Sequence, residues 1–334
     1  GNFNVSIGQQ AGRTSVDGAY NVSIGYQAGY TNTSGSSNTA VGYQSLYAYT
    51  GSSNTAVGYE AGKRIKTAYE NVFVGYQAGK LRTDGVENTF VGSNAGYSAG
   101  TGCCNTAIGR ASGYSLTTGV QNTYLGRQAG YYNATADNNT LIGHNTGLYT
   151  TGANNTCLGA GAGGTITSGV QNVLIGYEAD GAAGTQYSIV ISTDQDVSRG
   201  NSTALIAPNG GNVFQDNNSA NWATTSDERI KKNIVDNNKG LEVINKIQIR
   251  NFEYRTEDEI TDFENPKAAA IKKKGIQLGV IAQEIEKILP KSVKQESTGV
   301  KSVNPDNLTW YLINAVKELK AEVDLLKSNK CNCK

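Results

Sequence analysis

Residues 38–44 read Asn-Thr-Ala-Val-Gly-Tyr-Gln, which is one copy of a pattern that fills the first half of this 334-residue chain. The pattern is Asn, a β-branched residue, a variable residue, an aliphatic residue, Gly, two variable positions and usually Ala-Gly. It occurs eleven times at steps of 16 or 17 residues, with leading residues Asn4, Asn21, Asn38, Asn54, Asn71, Asn88, Asn105, Asn122, Asn139, Asn155 and Asn172. Such regular spacing predicts a solenoid, in which each repeat is one coil stacked on its neighbours.

Within each repeat, the segment from Asn to Gly predicts a short strand. Its second position is always Val or Thr, and its fourth is always Ile, Val or Leu. Because alternate residues of a strand point to opposite faces, we expect these constant positions to form the core and the variable third position to face outward. The third position is mostly apolar from Phe73 onward, so several chains are expected to pack laterally. The Gly permits a turn with positive φ or a close approach of stacked backbones.

The pattern at residues 38–44 resembles the head repeats of trimeric autotransporter adhesins, which form β-rolls around a three-fold axis. The resemblance implies a trimeric β-roll shaft over residues 1–180, although another parallel β-helix would accept the same spacing. At roughly 4.8 Å per coil, eleven coils make a rod about 50 Å long. Residues 181–225 are rich in Asn, Ser and Gly and contain short β-like runs at 187–192 and 202–207. They are predicted to form a β neck or linker.

The composition changes sharply along the chain. Residues 1–180 contain 32 of the 41 Gly and 16 charged residues, whereas residues 226–334 contain four Gly and 37 charged residues. The formal net charge of +1 gives no overall field for gripping nucleic acid or an anionic membrane, and no apolar run reaches the roughly 20 residues of a spanning helix. We therefore expect no nucleic-acid partner and no membrane insertion. A single His leaves no His-rich metal site, and we expect neither a metal nor a cofactor.

From residue 226 onward the sequence predicts a smaller α+β domain. A helix is predicted at 241–247, a strand at 249–254, and a strand leading into a helix over 277–290. The last helix is predicted from about 306 to about 330, and its apolar residues repeat at alternating steps of four and three: Leu312, Val316, Leu319, Val323 and Leu326. This stripe is typical of a coiled coil. Its short length favours assembly together with the rest of the domain, 226–334.

Two segments of this domain carry a second resemblance. The opening Ser-Asp-x-Arg-x-Lys contains Ser226, Asp227, Arg229 and Lys231, and the segment Gly-Val-Ile-Ala-Gln-Glu ends in Gln283 and Glu284. They resemble the intramolecular chaperone auto-processing domain that ends endosialidases, many phage tail fibres and tailspikes, and the myelin regulatory factors. The resemblance covers about residues 226–328. It implies a module that trimerises, templates folding of the preceding fibre, and then cleaves the bond before its Ser, here between Thr225 and Ser226.

The predicted cleavage requires an activated Ser hydroxyl, which needs a neighbouring base. Because the only His, His144, lies in the repeats, a Lys is the available base, and the resemblance assigns a Ser-Lys dyad to Ser226 and Lys231 with Arg229 and Lys232 beside it. A lysine acts as a base only when desolvation or cationic neighbours favour its neutral form. Five residues turn a regular helix by about 140°, so either this segment is irregular or subunits contribute to the site jointly. A purely structural capping module is the alternative.

Together these features predict a homotrimeric fibre segment of a phage or viral virion, which attaches to a host-surface receptor or glycan. It would assemble in the host cytoplasm beside other fibre or tail proteins, and its one enzymatic activity would be single-turnover self-cleavage as a serine peptidase. One alternative is a bacterial cell-surface adhesin with the same self-cleaving chaperone. Another is a glycan-degrading tailspike, which the scattered acidic residues of the repeats disfavour.

Three smaller features complete the sequence-based expectations. Cys157 is predicted to be a buried thiol, whereas Cys103, Cys104, Cys331 and Cys333 receive no role because they lack zinc-site spacing. The Tyr residues that follow the repeat Gly are predicted to cover the coil edges, with a glycan-stacking row as the alternative. Because the first residue is Gly rather than Met, we expect a fragment or processed product that lacks an amino-terminal anchoring region.

Overall fold

The structure, a computed structural model, describes residues 3–98, 100–208, 213–215, 226–261, 270–271, 273–296 and 299–331. The chain divides into two compact units, Gly1–Asp227 and Glu228–Lys334. The first unit is a β-solenoid, as the repeats predict. The described residues of the second form short sheets, two short helices and one long helix.

The solenoid contains one sheet whose fourteen strands follow each other in chain order. Its strands are β1 Val5–Ile7, β2 Val22–Ile24, β3 Thr39–Val41, β4 Thr55–Val57, β5 Val72–Val74, β6 Thr89–Val91, β7 Thr106–Ile108, β8 Thr123–Leu125, β9 Thr140–Ile142, β10 Thr156–Leu158, β11 Val173–Ile175, β12 Ile189–Ser192, β13 Ala204–Ala207 and β14 Val213–Gln215. Strands β1–β13 pair in parallel with equivalent repeat positions side by side, and β14 pairs antiparallel with β13. Each repeat therefore contributes one strand, and the sheet continues into the predicted neck through β12–β14.

The core lies on the opposite face of the strands from the one predicted. The variable third position is fully buried from Ala40 through Phe73 to Leu174. The constant second and fourth positions are half-buried or exposed, and Leu158 at the fourth position is 45% exposed. The prediction equated constancy with burial. In this fold the constant residues form aligned rows on the outer face, and the interior takes residues of different sizes.

In six coils, variation at the third position is compensated by a second buried residue nine positions later in the same coil, whereas Phe73 and Arg82 are both large and both buried. A small residue is followed by a larger one, or the reverse, in Ala40 and Tyr49, Ala56 and Ile65, Ala107 and Leu116, Tyr124 and Asn133, Leu141 and Thr150, and Cys157 and Ile166. Protein interiors are close-packed, so the volume of each coil must be filled by the pair together. This pairing explains why neither position is constant in the repeat.

Two columns of identical residues, one of Gly and one of Asn, keep the stacked coils in register. Gly109 follows its strand with φ of +131°, and a Cβ there would lie 2.5 Å from the carbonyl oxygen of Gly126 in the next coil, so both predicted reasons for Gly apply. Asn105 is fully buried, accepts a hydrogen bond at Oδ1 from the Asn122 backbone N–H (3.0 Å), and donates from Nδ2 to the Gly119 carbonyl (2.9 Å). The leading Asn thus satisfies buried backbone groups that would otherwise be unpaired.

The second unit contains helices α1 Leu241–Ile244, α2 Ala282–Ile288 and α3 Asp306–Cys331, and strand pairs β15 Arg250–Phe252 with β16 Gln277–Gly279 and β17 Val293–Gln295 with β18 Lys301–Val303. Helix α1 is shorter than the predicted 241–247 because the chain tightens after Ile244, where the Lys246 N–H donates to the Val243 carbonyl. The first turn of α1 is held by α3, since the Leu241 N–H donates to Glu318 Oε2 at 2.6 Å. The strand predicted at 249–254 is likewise shorter.

Candidate functional site

The predicted catalytic segment, residues 226–231, is an irregular stretch of chain. Residues Glu228–Ile230 form a single 3-10 turn, and the Lys231 N–H donates to the Glu228 carbonyl at 3.0 Å. Ser226 and Lys231 are therefore not joined by a regular α-helix, and the helical separation of about 140° does not apply to them. The sequence left open either an irregular segment or a site shared between subunits. The backbone of this segment is irregular within one chain.

The side chains of this segment are exposed to solvent. Ser226, Arg229, Lys231 and Lys232 are exposed, and Asp227 is half-buried. Thr225, the residue predicted on the other side of the cleaved bond, lies outside the described residues. A lysine in such surroundings keeps its hydration, whereas a lysine base needs desolvation or cationic neighbours. In the described part of one chain, the segment presents the dyad residues without enclosing them.

Glu284, from the second motif, has a partner that the sequence-based interpretation missed. It accepts hydrogen bonds from Arg250 at Nη2 (2.9 Å) and Nε (3.3 Å), which ties the start of α2 to β15. Hydrogen bonding from Arg250 lowers the pKa of Glu284 below its usual range. The neighbouring Gln283 is exposed and borders a pocket of about 630 Å³ beside Phe252 and Lys301. Bidentate Arg–carboxylate geometry gives Glu284 a structural role in the unit.

The long helix α3 displays its apolar stripe to solvent. The five residues of the predicted coiled coil are between 44% and 64% exposed: Leu312, Val316, Leu319, Val323 and Leu326. Ala315, which approaches Gly240 at the start of α1, is in contrast 3% exposed. The helix therefore uses one side to pack within its own unit and presents the stripe outward.

Burial and hydrogen bonding raise the thiol pKa of two solenoid cysteines, Cys157 and Cys104. Cys157 is fully buried, as predicted, and burial raises the pKa of its thiol to about 12. The sulfur atoms of Cys103 and Cys104 lie 3.0 Å apart, and the hydrogen bond with Cys103 raises the pKa of the Cys104 thiol to about 11. Such thiols are poor nucleophiles at neutral pH. Cys333 lies outside the described residues, and Cys331 ends α3.

The Tyr residues that follow the repeat Gly stack on one another. Ring centroids are 5.2 Å apart for Tyr26 and Tyr43, 5.0 Å for Tyr43 and Tyr59, and 5.3 Å for Tyr59 and Tyr76. Each inner ring is thus covered on both faces by its neighbours, which supports the predicted edge-covering role. Further along the same row, Arg127 Nη1 lies 3.2 Å from His144 Nε2.

The described residues contain neither a grouped metal site nor a membrane-spanning helix. Among the described residues, no three His, Cys, Asp or Glu side chains are grouped as a metal site requires. Over those same parts of the chain, no helix combines the length and apolar character needed to cross a membrane.

The architecture is a parallel β-solenoid followed along the chain by a Ser-Asp-x-Arg-x-Lys segment and a small region of helices and antiparallel strand pairs. Residues 226–294 of the chain match the protein family described as chaperone of endosialidase. The match begins at Ser226 and includes Lys231, Gln283 and Glu284, so it agrees with the resemblance of the two motifs. Helix α3 lies beyond the matched residues. The chain has no significant match among curated proteins.

Proposed function

We propose that this chain is a segment of a homotrimeric virion fibre for host attachment, whose carboxy-terminal chaperone directs trimerisation and folding and then cleaves itself off. The observation that carries the proposal is the chaperone-of-endosialidase domain placed directly after a β-solenoid. Such a rod spaces a recognition surface away from a particle, and a folding chaperone suits a repetitive chain whose coils are easily misaligned.

Exposed apolar surface in the second unit supports trimerisation. In addition to the α3 stripe, Ile234, Leu278 and Trp310 are between 64% and 74% exposed, whereas Val243, Ile285 and Ala315 are its buried apolar residues in the described part. A small unit with so little interior gains most of its stability by burying such surface between copies. Three copies of α3 packed along the stripe would form a short coiled coil.

The outer face of the solenoid sheet supports the same assembly. Its fourth-position row includes Val57, Ile108, Leu125 and Leu158, each between 37% and 45% exposed. Parallel sheets are normally covered on both faces, so a regular apolar row on a parallel sheet favours a partner surface of the same repeat. In a trimer each sheet would contact the equivalent sheets of the other two copies.

Self-cleavage would proceed by an N-to-O acyl shift. Ser226 Oγ attacks the Thr225 carbonyl carbon as the neutral Lys231 amine takes the hydroxyl proton, and that proton then passes to the leaving Ser226 nitrogen as the C–N bond breaks. Water hydrolyses the resulting ester, which frees the Thr225 carboxylate and restores the Ser226 hydroxyl. Because both side chains are exposed in one chain, we infer that trimer contacts supply the desolvation. Cleavage would then follow assembly.

The cleavage is tested by purifying the full chain and following it on a denaturing gel and by mass spectrometry. Wild type is expected to give two products separated between Thr225 and Ser226, and native mass spectrometry is expected to give a trimer. Ser226→Ala and Lys231→Ala should each leave one full-length chain. Lys246→Ala is the matched control, since this exposed lysine pairs only locally with Glu242. Continued cleavage before residue 226 in Ser226→Ala would refute the mechanism.

A bacterial cell-surface adhesin with the same self-cleaving chaperone is the alternative, because the repeat pattern suits both settings. Neighbouring genes discriminate the two: structural virion genes support a fibre, and secretion genes support an adhesin. A fibre would assemble in the host cytoplasm with other tail or fibre proteins.

A further inference from the structure

One side-chain column of the solenoid is interrupted in two coils, where Ala111 and Gly161 replace the usual amide or carboxylate. Two positions after the strand-ending Gly, most coils carry an amide side chain, and consecutive amides form a ladder in which Gln27 Nε2 donates to Gln10 Oε1 and Gln44 Nε2 donates to Gln27 Oε1. In the coil that begins at Asn155, this position is Gly161. The ladder therefore has a gap between Asn145 in the preceding coil and Glu178 in the following one.

The gap leaves a polar atom without its usual partner. Asn145 Oδ1 is buried and has no hydrogen-bond partner among the described residues. At Gln10, Gln27 and Glu60, the amide of the next coil donates to this position. Gly161 has no side chain to do so, and its backbone N–H donates to the His144 carbonyl of the preceding coil. An unpaired buried acceptor is costly unless a ligand or water donates to it.

A pocket of about 410 Å³ occupies the gap, which falls within the range of roughly 300–1,000 Å³ typical of ligand sites. It is lined by Asn145, Tyr149, Thr165, Glu178 and Asp180, with the backbone of Gly161. Asp180 is already used, because its carboxylate accepts from the Thr165 and Gly181 backbone N–H groups at 2.8 Å. The half-buried Glu178 supplies a second carboxylate to the lining.

Tyr149 gives the pocket an aromatic wall. One face of its ring stacks on Tyr132, with centroids 5.2 Å apart. The next coil places Thr165 at this position instead of another aromatic residue, so the second face of Tyr149 borders the pocket. By contrast, Lys80 covers the end of another Tyr row by lying over Tyr97. An aromatic face beside hydrogen-bonding oxygens suits a ring with an apolar C–H face and hydroxyl edges.

We propose that this pocket binds one neutral pyranose unit of a host-surface glycan, with its C–H face on Tyr149 and its hydroxyls donating to Asn145 Oδ1 and Glu178. The pocket-lining residues include two carboxylates and no Lys or Arg, which selects against sialic and uronic acids. The proposal rests on the attachment role proposed above for its biological meaning. Sugar binding itself is measured on the purified chain independently of cleavage.

The test is a titration of the full chain with methyl glycosides of glucose, galactose, mannose and N-acetylglucosamine, followed by saturation-transfer NMR and calorimetry. At least one glycoside is expected to bind with a Kd of roughly millimolar. Tyr149→Ala should weaken it about tenfold. Gly161→Gln should abolish binding without unfolding the chain, because Gln77 occupies the equivalent position with φ of 56° and the new Cβ, 2.7 Å from Glu178 Cγ, displaces only that flexible side chain. The new amide also provides a donor for Asn145.

Tyr26→Ala is the matched control, since Tyr26 also ends a Tyr row and lies outside the pocket. It should bind the glycoside as wild type does. Binding of none of the four glycosides, preferential binding of N-acetylneuraminic or glucuronic acid, or unchanged binding by a folded Gly161→Gln chain would each overturn the proposal. If any of these outcomes occurs while trimerisation and cleavage persist, only the sugar-site proposal is refuted. If they too are lost, the proposed function fails with it.

Discussion

At the scale of single residues, Glu60 shows how one substitution in a repeat is accommodated. It replaces the usual Gln of the amide ladder and is 6% exposed. Its Oε1 lies 2.6 Å from Lys63 Nζ and its Oε2 lies 2.7 Å from Lys80 Nζ. Several other coils carry Tyr at the position that these two lysines occupy. Burial raises the pKa of Glu60, but hydrogen bonds from Lys63, Lys80 and Gln77 outweigh burial and lower it to about 2. The three charges act as a unit.

Glu60→Gln is expected to destabilise the solenoid in a pH-dependent way. A folded-state pKa below the unfolded value makes a contribution that is present above the ordinary pKa of 4.5 and is lost as the pH falls toward 2. We therefore expect the free energy of unfolding of the variant at neutral pH to be about 3 kcal/mol lower than that of wild type, because two lysines lose their carboxylate. Thermal or urea unfolding from neutral pH down to about pH 2 measures the difference.

The control for this prediction is Glu70→Gln, an exposed carboxylate in the same coil. It should change stability little at any pH. A Glu60→Gln deficit that stays constant down to pH near 2 would contradict the assignment of the effect to ionised Glu60.

At single residues, the repeat consensus predicts backbone requirements within one coil but not contacts between residues that are distant in sequence. The Gly column was predicted for the right reasons, since Gly109 has both a positive φ and a carbonyl within 2.5 Å of the Cβ position. The Asn column was recognised only as a marker, because its hydrogen bonds run to backbone atoms of adjacent coils. Arg250 was also missed as the partner of Glu284, since 34 residues separate them and neither motif includes it.

At the scale of the coil, packing depends on pairs rather than on single positions. Ala107 and Leu116 fill one coil, whereas Leu141 and Thr150 fill another with the large residue at the other end. The sequence predicted strand positions correctly, because period and alternation specify them. It predicted the wrong core face, because constancy was taken as the mark of burial while the compensating residue lies nine positions away, beyond the strand.

This pairing predicts non-additive stability in a double mutant. Leu116→Ala alone should cost about 2–5 kcal/mol by leaving a cavity. Ala107→Leu alone should cost about 1–3 kcal/mol by overpacking. The combined variant, which moves the large residue to the strand as in the Leu141 coil, should recover a substantial part of both costs. Urea unfolding of the four proteins provides the cycle, and additive costs would contradict volume compensation within the coil.

At the scale of the whole molecule, the two units differ in how much of their apolar surface is buried within one chain. The solenoid has a continuous buried core from Ala28 to Ala207, whereas the second unit exposes the apolar stripe on α3. The heptad spacing of that stripe could be predicted from sequence because it is local. The geometry around Ser226 could not, since a short irregular segment has no periodicity and the surfaces that would enclose it belong to other copies in the proposed trimer.

Leu319→Asp tests whether assembly and cleavage are linked. Leu319 lies at the middle of the stripe and is 48% exposed, so the substitution leaves the single unit intact but places three carboxylates together in a coiled coil. We expect loss of the trimer by native mass spectrometry and a cleavage rate at least tenfold below wild type on a denaturing gel, a barrier increase of about 1.4 kcal/mol or more.

The matched control is Ala321→Asp, which introduces the same charge on an exposed residue about 200° around the helix from Leu319. It should assemble and cleave as wild type does. If Leu319→Asp is monomeric and still cleaves at the wild-type rate, Ser226 and Lys231 form a competent site within one chain, and desolvation by neighbouring subunits is not the gate. If Leu319→Asp loses both trimer assembly and cleavage while Ala321→Asp keeps them, the exposed Ser226–Lys231 dyad and the apolar stripe act in one mechanism. In that mechanism, the chaperone is released only after three chains have assembled.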